Sequence, residues 1–168
     1  MKQTSILVAI ALVTSIVVAH RPAVAAGGSD AITLTPVDDK AACSPTVSTQ
    51  GTPGKSVELC ITKGLFAHDL YEVKIDGTVV VKGIDDATTN GVNGAYGGQS
   101  INLTCTPVLS APENVTDSQI ESMRTLDPKA TREQLKRQYV LLNTTETGRH
   151  CVVRTDSTNF LAVDILFE

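Results

Sequence analysis

Few side chains in this sequence that can ionise, attack or ligate stand at spacings that suggest a reaction. His68 precedes Asp69, and a Ser/His/Asp set for nucleophilic catalysis can be imagined around that pair. Such a set needs a nucleophile on a strained turn, and the chain has no G-x-S-x-G elbow. His150 is the other histidine beyond the N-terminal segment. Two histidines make a metal site only with acids that the sequence does not place beside them. Both rings therefore read as solvated or hydrogen-bonded groups. No catalytic residue, metal ligand or cofactor is assigned.

The stretch Asp86-Ala87-Thr88-Thr89-Asn90-Gly91 loosely matches a calcium loop, with oxygens at alternate positions and glycine at the sixth. The twelfth position wants a bidentate Glu and holds Gly97. An ordinary glycine-rich surface loop over residues 83–98 is the simpler reading. Loops of that length carry recognition or remain disordered. Asp85, Asp86, Asn90, Asn93 and Tyr96 are its candidate contact residues. A second candidate is a basic helix over residues 128–138. Arg132 and Lys136 lie four apart on one face and suit an acidic partner. The alternative is a solvated helix whose Lys129, Glu133 and Arg137 pair along one side.

The cysteines are Cys43, Cys60, Cys105 and Cys151. An even number in an exported chain favours two disulfides, and no C-x-x-C spacing suggests zinc. Three pairings exist, and sequence alone does not choose among them. Side-chain alternation favours Cys43–Cys60 and Cys105–Cys151. In residues 56–62, Val57, Leu59 and Ile61 share one strand face, and Cys60 points away, toward a preceding loop that holds Cys43. Cys105 and Cys151 each fall on the apolar face of a strand. Paired cysteines are not nucleophiles, which disfavours a thiol enzyme.

The elements that must position these residues are mostly strands. Residues 32–37 suit a short edge strand, because Pro36 cannot donate to a ladder. Residues 38–55 read as a loop, and 56–62 as a strand. Residues 71–75 and 78–82 flank Asp76-Gly77, the strongest hairpin signal in the chain. Residues 99–106 form a strand, and 107–115 a linker. Thr116 and Gln119 have capping-box spacing for a short helix to about Leu126. Asp127 as cap and Pro128 at the first helical position start a second helix to about Gln138. Strands at 139–143, 150–155 and 161–167 close the chain. The expected class is α+β, strand-rich: a mainly antiparallel sheet or sandwich, stapled by disulfides, with one helical insertion around residues 116–138.

Composition narrows the function classes. Lys2, the apolar run 6–19 and the Ala23-Val24-Ala25 site read as a secretory leader over residues 1–25. The run is shorter than the ~20 residues of a spanning helix. Residues 26–168 then form a single exported domain in the periplasm or secreted medium. The chain has 14 Lys+Arg against 18 Asp+Glu, a net charge of −4. The leader holds Lys2 and Arg21 and no acid, so its removal leaves a more acidic protein. That charge disfavours nucleic acid and anionic membranes. The absence of Trp disfavours sugar and base stacking. Asn102, Asn114 and Asn143 begin N-x-T triplets, of which Asn114 is the best-exposed expectation.

The leading expectation is a non-catalytic exported module that binds another macromolecule, a protein, in the manner of an inhibitor, an immunity protein or an envelope-associated subunit. A small secreted hydrolase with a dispersed site is the first alternative. A structural subunit assembling through the 161–167 strand is the second.

Overall fold

The structure, a computed structural model, describes residues 32–48, 55–65, 67–155 and 158–167. The leader read at residues 1–25 lies outside them. The strands form two sheets. One contains β1 (Ile32–Leu34), β7 (Val92–Tyr96), β8 (Gln99–Ser110), β9 (Thr145–Arg154) and β10 (Asn159–Leu166), in the order β1-β10-β9-β8-β7. The other contains β2 (Ala41–Cys43), β4 (Ser56–Thr62), β5 (Leu70–Ile75) and β6 (Thr78–Ile84), in the order β2-β4-β5-β6, with β3 (Val47–Ser48) also on β4. Pairing is antiparallel except between β1 and β10.

Alternation decides which way each strand faces. Val57, Leu59, Ile61, Tyr71, Val73, Ile75 and Val81 of one sheet meet Ile101, Leu103, Val153, Leu161, Val163 and Ile165 of the other in one buried core. Burying such an aliphatic side chain stabilises by about 1.5–3 kcal/mol. At one edge the sheets close on each other at Gly94. A Cβ there would stand 1.9 Å from the Val80 carbonyl oxygen, so only glycine permits the approach.

Both disulfides pair as the alternation favours, Cys43–Cys60 and Cys105–Cys151. Each joins directly opposed residues of neighbouring strands. Cys43 lies beside Cys60 on strand β2, where a loop over it is the sequence expectation. The Asp76-Gly77 hairpin also forms, with φ of 50° and 77° at its two turn residues, as a type I′ turn requires.

Several expected boundaries are corrected. The 83–98 loop is ordered structure: the end of β6, a short helix α1 (Asp85–Asn90), and β7. Its calcium reading fails with it, since Asp86 and Asn90 sit on a helical turn joined by a side-chain bond from Asn90 Nδ2 to the Asp86 carbonyl. Strand β8 runs on through Pro107 to Ser110, into the expected linker. Residues 41–43 and 47–48 pair with β4 within the expected 38–55 loop.

The helical insertion is α2 (Asp117–Leu126) and α3 (Arg132–Leu142). The second helix starts at a Thr131/Gln134 capping box, and Asp127 caps the end of α2 instead. The expected 139–143 strand belongs to α3. Leu135 and Tyr139, four apart, face α2, and Gln119 Nε2 donates to the Tyr139 hydroxyl at 2.6 Å. That helix–helix packing overrides the strand propensity of Tyr139-Val140.

Candidate functional site

The helical hairpin stands apart from the sandwich core. Ile120, Met123, Ala130 and Leu135 bury one another in a separate small cluster, with Val115 and Tyr139 against it. Beyond Gly148, which pairs with both Val108 and Leu166, β8 and β9 continue as a two-stranded ribbon that carries the helices. Asp117 and Arg132 form an ion pair between the two helices. That pair raises the Arg132 pKa above its usual value, chiefly through the hydrogen bond that the guanidinium donates to Asp117.

The outer surface of this arm is apolar where solvated helices are polar. Leu126, Leu141 and Leu142 are 74%, 77% and 69% exposed, and Val108 and Leu109 on the ribbon are also exposed. On the α3 face turned away from α2, Glu133, Lys136, Arg137, Val140, Leu141 and Thr144 line an open groove. These positions recur every three or four residues, so they form one stripe, charged at its start, with Glu133 before Lys136 and Arg137, and apolar toward its end. Lys136 therefore stands on an open face, while Arg132 is occupied within the hairpin.

A second cluster lies where α1 joins the sandwich. Arg149 is 6% exposed and donates to the Asp85 carbonyl at 2.7 Å, to Thr89 Oγ1 at 3.2 Å and to Glu146. Burial alone would lower its pKa. The Glu146 hydrogen bonds and the nearby Tyr71 and Asp85 outweigh that and hold it above the usual value. Tyr71 is fully buried beside it, and its hydroxyl has no hydrogen-bond partner among the described residues. Burial drives the Tyr71 phenol far above its ordinary pKa, against a smaller opposing pull from Arg149. A phenol held neutral in this way does not act as a base near neutral pH.

On the solvent side of α1, His68 Nδ1 lies 2.9 Å from Asp85 and 4.0 Å from Asp86. All three groups fall within ligand reach of a common point. The buried Arg149 guanidinium beneath them already supplies positive charge to Asp85, which weakens the attraction for a further cation. His150 pairs with Asp164 across neighbouring strands at 2.6 Å. Among the described residues, both histidines hydrogen-bond to carboxylates and neither to a hydroxyl nucleophile.

No family model, curated protein or solved structure matches this chain.

The candidate contact residues are thus spread over three places. Asp85, Asp86 and Asn90 sit on α1, and Lys136 on the arm. Asn93 lies on edge strand β7, where its Oδ1 accepts from Asn102 Nδ2. Tyr96 lies at the far end of that strand. The exposed leucines of the arm escape sequence reasoning, because a 139–143 strand would bury half of them. Leu135 and Tyr139, at helical spacing, are the signal that could have found them.

Proposed function

We propose that this protein is a non-catalytic exported module that binds another protein through its helical arm. The observation that carries the reading is the outward display of Leu126, Leu141 and Leu142 on a hairpin whose own core lies elsewhere. Large apolar side chains gathered on one projecting element are characteristic of interaction sites. Lys136 and Arg137 beside Leu141 favour a partner surface that is apolar at its centre and acidic at its rim. Export rests on the leader pattern, and two disulfides are compatible with an extracytoplasmic location. Among the described residues, no helix is long and apolar enough to cross a membrane.

The test is cross-linking in the native host with wild-type protein and a Leu141→Asp/Leu142→Asp variant. The proposal expects a cross-linked partner with wild type and at least a ten-fold loss with the variant, whose circular dichroism stays unchanged. Equal capture by the two proteins would remove the arm from the binding site.

A further inference from the structure

Two tight turns meet at one end of the sandwich, and a cavity lies between them. The first is Asp76-Gly77, between β5 and β6. The second is Gly97-Gly98, with φ of 58° and 79°, between β7 and β8. Asp76 ties them together. Its Oδ1 accepts from the Ser56 amide at 2.9 Å and the Ser56 hydroxyl at 3.3 Å, and its Oδ2 accepts from the Tyr96 hydroxyl at 3.1 Å. Below these groups is a space of about 160 Å³. Val57 and Ile75 from one sheet and Ile101 and Phe160 from the other give it apolar walls, and Gln99 adds a polar group to the lining.

The mouth carries a positive charge of a distinct kind. Lys63, Lys74 and Lys82 each meet a carboxylate within 3.7 Å. Lys55, which meets no carboxylate within ion-pair distance among the described residues, places its ammonium 4.0 Å over the Tyr96 ring. Gly97, also at the mouth, presents no side chain to it. Asp76, a carboxylate at this end, is engaged by three donors of its own, and the Lys55 charge adds a smaller pull that favours its ionised form. An ammonium resting on an aromatic face keeps N–H donors for another acceptor. An apolar cavity of this order takes a guest the size of benzene.

From the apolar walls and the cation at the mouth we infer that this cavity binds a small monocarboxylate whose apolar body is one ring or about six carbons. The body enters between the sheets, and the carboxylate meets Lys55 at the rim. The site is separate from the arm and does not depend on it.

Phenylacetate is a suitable probe, titrated into methyl-labelled full-length protein and followed by NMR. The expected result is saturable shifts at Ile75, Ile101 and Val57, with a Kd of about 1–10 mM for so small a ligand. Lys55→Met keeps the aliphatic stem and removes the charge. It should weaken phenylacetate about ten-fold and leave 2-phenylethanol unchanged, while phenethylamine should bind the wild type more weakly than either. Three results would overturn the inference: no saturable shift at 50 mM phenylacetate, shifts centred elsewhere, or equal affinity for acid and amine.

Discussion

Arg149 folds a segment whose own sequence leaves it undecided. The run Asp85–Asn90 has no side-chain N-cap and reads locally as loop. The guanidinium that binds the Asp85 carbonyl comes from 64 residues away. Such a long-range partner is invisible to local pattern, which is why residues 83–98 read as a loop in the sequence. Replacing Arg149 with Met removes those bonds and leaves Glu146 without its partner. The variant should lose about 3 kcal/mol in urea unfolding, with faster amide exchange in α1. A loss below about 1 kcal/mol would show that α1 forms without it.

Asp76 makes a pH-dependent contribution of known sign. The Ser56 amide, and after it the Tyr96 hydroxyl, hold its carboxyl below the usual aspartate range. The ionised form therefore favours the folded state. That contribution is complete above the unfolded pKa of about 3.9 and fades as pH falls through the lower folded value. Asp76→Asn preserves the turn, since Asn also tolerates positive φ. Melting curves from pH 2 to 7 should show wild type above the variant near neutrality and the two converging at the acid end. A gap that does not change with pH would contradict the assignment.

Elements were legible where local chemistry and alternation agreed. The Asp-Gly hairpin, the Thr116/Gln119 box and the core-facing positions of β4, β8, β9 and β10 are plain in the sequence. Of the three pairings that the sequence leaves open, the one alternation favours is the one that forms, with Cys105 and Cys151 on the apolar faces of their strands. The start of the second helix is not legible, since Asp127-Pro128 imitates a cap, whereas the Thr131/Gln134 box closes the real one. Thr131→Ala should cost about 1 kcal/mol of stability. The two bridges should also differ in access. Cys43 is exposed on β2, whereas Cys105 and Cys151 are wholly buried. Mild reductant followed by alkylation and mass spectrometry should label Cys43 and Cys60 first. Labelling of Cys105 and Cys151 first would mean that the core of the sheet opens before its edge.

At the scale of the molecule, a disulfide-stapled sandwich supports a helical arm, and the two have separate cores. This division was not legible in the sequence, which shows a helical insertion but not where its apolar surface goes. Strand β10, a candidate for assembly through an open edge, lies between β9 and β1 over residues 163–165, so β1 takes that edge there. Among the described residues, Val108, Leu109, Leu126, Leu141 and Leu142 leave five exposed large apolar side chains on the arm, which is the surface proposed to bind. Hydrogen–deuterium exchange on the full-length protein, with and without its cross-linked partner, tests this most directly. The account predicts slowed exchange in α3 and at residues 108–109 and little change in β4 and β5. Protection confined to the α1 face or the β7 edge, with the arm unaltered, would contradict it.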